Sequence, residues 1–127
     1  MANRLIPIGA MLALLAVAFG AFGAHALRAQ LDGYHMDIYR TGVLYHLIHA
    51  LGILLIGILA QYNMDDKRVR FSGYLMLAGV LFFSGSLYLL AITGQGWLGA
   101  ITPIGGLLFL LAWGLLALAS WGGKSRV

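Results

Sequence analysis

The chain contains no cysteine and no glutamate, and only 9% of its 127 residues are charged. Without cysteine there can be no disulfide framework, thiolate nucleophile, iron–sulfur cluster or zinc ribbon. Soluble domains carry about a quarter charged residues, so an ordinary water-soluble fold is excluded. The four acidic residues, Asp32, Asp37, Asp65 and Asp66, stand against eight lysines and arginines, for a net charge of +4. Those basic residues lie between apolar runs and form no continuous stripe, which argues against a nucleic-acid partner.

What the sequence has in quantity is apolar: 61% of residues are hydrophobic and the mean hydropathy is +0.91. A bilayer core about 30 Å thick is crossed by about 20 helical residues at 1.5 Å each. Four runs of that length lack Lys, Arg, Asp and Glu: residues 5–27, 41–62, 71–93 and 99–121. The pattern predicts an all-α membrane protein, one integral domain over residues 1–127, folded as an antiparallel bundle of four transmembrane helices. A cleaved signal peptide is the alternative for the first run, with Arg4 ahead of it and Ala24-His25-Ala26 as a small-residue site. The apolar stretch from Leu5 is longer than a typical signal core, which favours a span.

Basic residues near the span ends set the orientation. Arg4, Lys67, Arg68, Arg70, Lys124 and Arg126 fall on one side, Arg28 and Arg40 on the other. Both termini are therefore expected in the cytoplasm, with the Arg28–Arg40 and Gly94–Leu98 connections outside. Leu27, Leu31, Tyr34 and Ile38 recur at helical spacing opposite Gln30, Asp32 and Asp37, so a short interfacial helix is expected in the first outer connection, although Gly33 weakens the pattern. Tyr62, Phe71, Tyr74, Trp97 and Trp121 stand near span ends as interfacial anchors do, whereas Trp113 is mid-helix and its indole N–H needs a partner.

Lipid gives helices no hydrophobic reason to associate, so small residues that let backbones approach guide the packing. Ala16, Gly20 and Ala24 repeat every four residues, Gly9, Ala13 and Ala21 continue that surface, and Gly52, Gly57, Gly79, Gly85, Gly106 and Gly114 leave gaps elsewhere. These positions can serve packing within the chain or between copies of it.

Ionisable groups inside a span are costly and mark the places to look for function. His46 and His49 are three apart and are expected to share a helix face, roughly 8 and 12 Å below the outer boundary at 1.5 Å per residue. Ser84 and Ser86 reach similar depths on the third span, with Tyr88 shallower, and Tyr39, Arg40, Tyr45, His25, Arg28 and Thr102 complete an outer polar cluster, beside Pro103. The cytoplasmic half of the spans is nearly pure apolar. Interhelical hydrogen bonding is the commonest role for such groups. A zinc or copper site built from His46, His49 and His25 is opposed by the depth difference between His25 and His49. Bis-histidine haem would need ligands from two helices. A serine hydrolase pairing Ser84 or Ser86 with a histidine lacks an orienting third group. No catalytic residue and no cofactor is assigned, and whether a metal binds is left open.

Four ordered stretches resemble one family. They are Gly20-Ala21-Phe22-Gly23-Ala24-His25-Ala26-Leu27; Tyr45-His46 with His49-Ala50-Leu51; Phe83-Ser84-Gly85-Ser86-Leu87-Tyr88; and Gly99-Ala100-Ile101-Thr102-Pro103-Ile104-Gly105-Gly106. Together they resemble the YgdD/YwdK-type family of small bacterial membrane proteins, over nearly the whole chain. Gly42 stands where that family is expected to have alanine. The resemblance implies a four-helix protein of the bacterial inner membrane, with distant relatives among small mitochondrial membrane proteins of animals. It implies no activity, substrate or catalytic residue. His25, His46, His49, Ser84, Ser86, Thr102 and Pro103 are the family's motif positions, and they coincide with the outer polar cluster. The expected role is that of a non-enzymatic partner-binding, assembly or accessory-subunit protein, alone as a homo-oligomer or within a larger membrane complex. The alternative is a small oligomeric transporter or channel for a solute, metal ion or proton, although the spans hold no carboxylate to carry one.

Overall fold

The computed structural model describes residues 3–62 and 66–121, and all regular structure among them is helical. Asp65, Lys124 and Arg126, used above, lie outside the described residues. Helix α1, Leu5–Phe22, runs into a π turn, Gly23–Leu27, whose hydrogen bonds close over five residues instead of four. Helix α2 covers Gly33–Tyr62, and α3, Lys67–Gly79, passes through a second π turn, Val80–Ser84, into α4, Gly85–Thr93. A 3₁₀ turn, Gly96–Ala100, leads to α5, Thr102–Trp121. The resulting stretches Leu5–Leu27, Gly33–Tyr62, Lys67–Thr93 and Gly96–Trp121 are four helices long and apolar enough to cross a membrane.

Local chemistry sets the ends. Asp32 Oδ1 accepts the His35 backbone N–H at 2.7 Å and caps α2. Asp66 caps α3 by accepting the Arg68 N–H at 2.8 Å. Gly94, at φ +72°, ends α4 in the left-handed conformation that glycine adopts without strain. Because α2 starts at Gly33, the expected interfacial helix does not exist as a separate element: residues 33–40 form the first turns of α2 itself. A helix does not have to stop where the hydrocarbon stops, and Asp37 and Arg40 are solvated charges on an extension of the span.

The spans pack in sequence order: α1 on α2, α2 on α3 and α4, and α3 with its π turn on α5, while α1 touches α3 only slightly. Leu5, Ile53, Ile56, Val69, Met76, Ala112 and Ala119 form one apolar cluster near the end where the chain begins and ends. Leu27, Met36, Tyr39 and Ala91 form a second at the opposite end. Between the two lie the buried His46 and His49 on α2, Ser84 at the end of the second π turn and Ser86 on α4. Ser72 is a polar exception in the nearly pure apolar half: it is fully buried and donates to the Val69 carbonyl at 2.6 Å.

Backbone approach holds the bundle. A Cβ on Gly9 would lie 2.6 Å from Leu54 N, and one on Gly57 would lie 2.9 Å from Ile6 N, so α1 and α2 meet almost backbone to backbone. Between the third and fourth spans, Gly79 admits the Phe109 ring and Gly105 lies against the Phe83 backbone. Of the stripe expected to lead, Ala16 is buried and Gly20 faces Val43, but Ala24 is exposed. Gly85 has open space where a Cβ would go, and Gly106 comes only within 3.9 Å of the Phe83 ring.

Candidate functional site

The central helix α2 carries Tyr39, Gly42, Tyr45, His46 and His49 at successive turns, and these divide between two neighbours. His46 and His49 are both 3% exposed, yet they have no partner in common. At about 100° per residue, positions three apart diverge by about 60°, enough to send one imidazole toward α1 and α4 and the other toward α5. The expected common face is therefore two adjacent faces.

On the α1 side, the Tyr39 hydroxyl donates to the Phe19 carbonyl at 2.5 Å. Its ring fits over Gly23, where any Cβ would collide with it. The Tyr88 hydroxyl and His46 Nδ1 are 2.8 Å apart, and Phe19 meets the Tyr88 ring edge-on at 5.2 Å. Gly42 lets Tyr88 seat, since a Cβ there would stand 3.0 Å from the ring. The Gly42 carbonyl accepts from the buried Ser84 hydroxyl at 2.7 Å. His46 Nε2 is buried without a partner in hydrogen-bonding geometry; the Leu12 backbone of α1 is a polar group it faces.

On the α5 side, His49 Nδ1 donates to the Tyr45 carbonyl at 2.8 Å and Nε2 accepts the Trp113 indole N–H at 3.0 Å. The indole can only donate, so Nε2 must be the unprotonated nitrogen and the tautomer is fixed. The imidazole stacks on Phe109, with centroids 3.5 Å apart and planes at 10°. Ser86 Oγ donates to the Phe83 carbonyl at 2.8 Å and pairs with Thr102 Oγ1 at 2.6 Å. A groove of about 590 Å³ opens between α2 and α5, with Tyr45, His49, Phe83, Phe109 and Trp113 among its walls.

Three expected members stand apart. His25 is exposed in the first π turn, and Arg28 and Arg40 are exposed at the same end. Among the described residues no three His, Cys, Asp or Glu side chains group closely enough to hold a metal ion. Neither serine hydroxyl is bonded to an imidazole; both donate to backbone carbonyls. The sequence reading left Trp113 without a partner and passed over Phe19, Phe109 and Gly105. The spacing Gly105, Phe109, Trp113, four apart each time, puts a gap and two aromatics on one face of α5 and was the available signal.

Fold and site define a small multi-pass helical membrane protein with its polar groups tied between helices. The chain matches the family described as "Protein of unknown function (DUF423)" over residues 19–106. It is 44% identical over 115 residues to the UPF0382 membrane protein YwdK of Bacillus subtilis, covering 91% of this chain and 94% of that one. It is also 44% identical over 115 residues to the UPF0382 membrane protein SERP0230 of Staphylococcus epidermidis, covering 91% and 93%. The UPF0382 membrane protein SH2409 of Staphylococcus haemolyticus is 42% identical over 116 residues, covering 91% and 93%. The chain belongs to this membrane-protein family. No solved structure matches it.

Proposed function

We propose that the protein is a non-catalytic accessory or assembly subunit of the bacterial inner membrane, with both termini in the cytoplasm, and that it works by binding a partner. The observation carrying this reading is that the polar side chains of the spans, His46 Nε2 excepted, bond between or within helices. Ser84 on Gly42, Ser86 on Thr102, Trp113 on His49 and Tyr39 on Phe19 each join two spans or their connections. Such bonds contribute about 0.6 kcal/mol each on average in lipid. They leave no pair of nucleophile and base, so their effect is to hold the helices in register.

The first and last spans are the most exposed, each 17% buried in its most apolar window against 44% and 39% for the middle two. Their outer faces are free for lipid or for another membrane protein. The six-to-two distribution of basic residues supports the orientation.

The test is gentle extraction from native membranes followed by native mass spectrometry. A co-purifying protein at fixed stoichiometry is the expected result. A bare homo-oligomer that moves a solute in proteoliposomes would replace this reading with the transporter.

A further inference from the structure

We infer that the groove between α1 and α2 is a phospholipid site, seating one acyl chain under a phosphate held by Arg40. The groove is an open cleft of about 240 Å³. Gly20, Gly23 and Ala24 line it from the first span, and Met36, Tyr39, Arg40, Val43 and Leu47 from α2, with Arg40 one turn in from Met36. Gly20 and Ala24, one turn apart, remove from α1 the side chains that would fill it, and Gly23 is already occupied by the Tyr39 ring.

Arg40 is the last Lys, Arg, Asp or Glu before Asp65, so it marks the boundary at which α2 leaves the aqueous layer. That is the depth of a lipid phosphate, and guanidinium is the side chain best shaped to chelate one. The acid facing it is Asp37, one turn earlier, at 4.0 Å, beyond hydrogen-bonding distance. Arg40 and Asp37 thus form an ion pair without a hydrogen bond, which leaves the guanidinium N–H groups to donate to another acceptor.

Size selects the occupant. From Met36 to Leu47 the groove follows α2 for about 16 Å, the last 10 Å or so of it beyond Arg40, and the half-thickness of the hydrocarbon is about 15 Å. A partner helix, about 10 Å across with its side chains, would lie over this groove and send only a side chain into its 240 Å³. An extended acyl chain fills it along its length, with its end continuing into the bilayer. The Arg40 charge then favours an anionic headgroup over a zwitterionic one.

The experiment is native mass spectrometry of the full chain in detergent with phosphatidylglycerol or phosphatidylcholine added in equal amounts. One phosphatidylglycerol is expected to stay bound, in preference to phosphatidylcholine. Arg40→Gln is expected to cut its retention about tenfold, the worth of one charge-assisted contact. Ala24→Leu, at an exposed position, is expected to fill the groove and lose the adduct with Arg40 intact, while circular dichroism and thermal midpoint confirm the fold. Retention unchanged in either variant overturns the site. So does displacement by excess inorganic phosphate, which would mean a headgroup contact without a seated chain.

Discussion

The Trp113 indole donates its N–H to His49 Nε2 at 3.0 Å, joining the fourth span to the second across the bundle. The bond satisfies an indole at mid-span and fixes the protonation of an imidazole in one step. Trp113→Phe leaves His49 Nε2 with no donor, and the expected loss is about 1 kcal/mol. Thermal unfolding in detergent measures it; an unchanged midpoint would mean that the bond contributes nothing to holding the spans together.

Two glycines on the last two spans separate packing from mere smallness. At Gly105 a Cβ would strike the Phe83 backbone, which cannot yield as a side-chain tip can, so Gly105→Ala should cost about 1–3 kcal/mol. At Gly85 nothing stands in the way, and alanine should be neutral or stabilise by about 0.5–1 kcal/mol through its helix preference. Equal effects of the two substitutions on unfolding would overturn this assignment.

Asp32 gives the start of α2 a dependence on pH. The His35 backbone N–H, and then its side chain, hold the Asp32 carboxyl below the ordinary aspartate range. A carboxyl lowered in the folded state contributes its stability fully above the ordinary value and loses it as pH falls through the lowered one. The NMR Cα shifts of Gly33–Met36 should keep their helical values at neutral pH and move toward coil only in strong acid. Asp32→Ala should show the frayed values at neutral pH already.

Orientation is checked by a reporter enzyme active only outside the cytoplasm. Fused after Val127 it should be silent, and inserted at Gly96 it should be active. The reverse pattern would place the Arg28–Arg40 side in the cytoplasm.

The spans were legible because hydropathy and length alone fix them: the sequence boundaries 5–27 and 71–93 fall within four residues of Leu5–Leu27 and Lys67–Thr93. The start of α2 was not, since a hydropathy rule sees the membrane and not the Asp32 cap nine residues before Thr41. The polar residues were legible by their cost in lipid, but not their pairing. His49 and Trp113 each asked for a partner, and naming it required knowing which helix lies beside α2. Of the leading small stripe, Ala24 lies in the first π turn and is exposed, so it takes no part in packing within the chain. Gly105 was one glycine among 18, distinguished only by what lies opposite.

The close approach of α1 and α2 bears on how the protein is made. Gly9 on Leu54, Gly57 on Ile6, Asn3 on the Gly57 carbonyl and Tyr39 on the Phe19 carbonyl all use residues synthesised by position 62. The leading pair can thus lock as a finished hairpin while the rest of the chain is still on the ribosome. Ser84, Tyr88 and Trp113 arrive later and bond to the remaining flank of α2, so the order of synthesis suits the docking of a second hairpin onto a first.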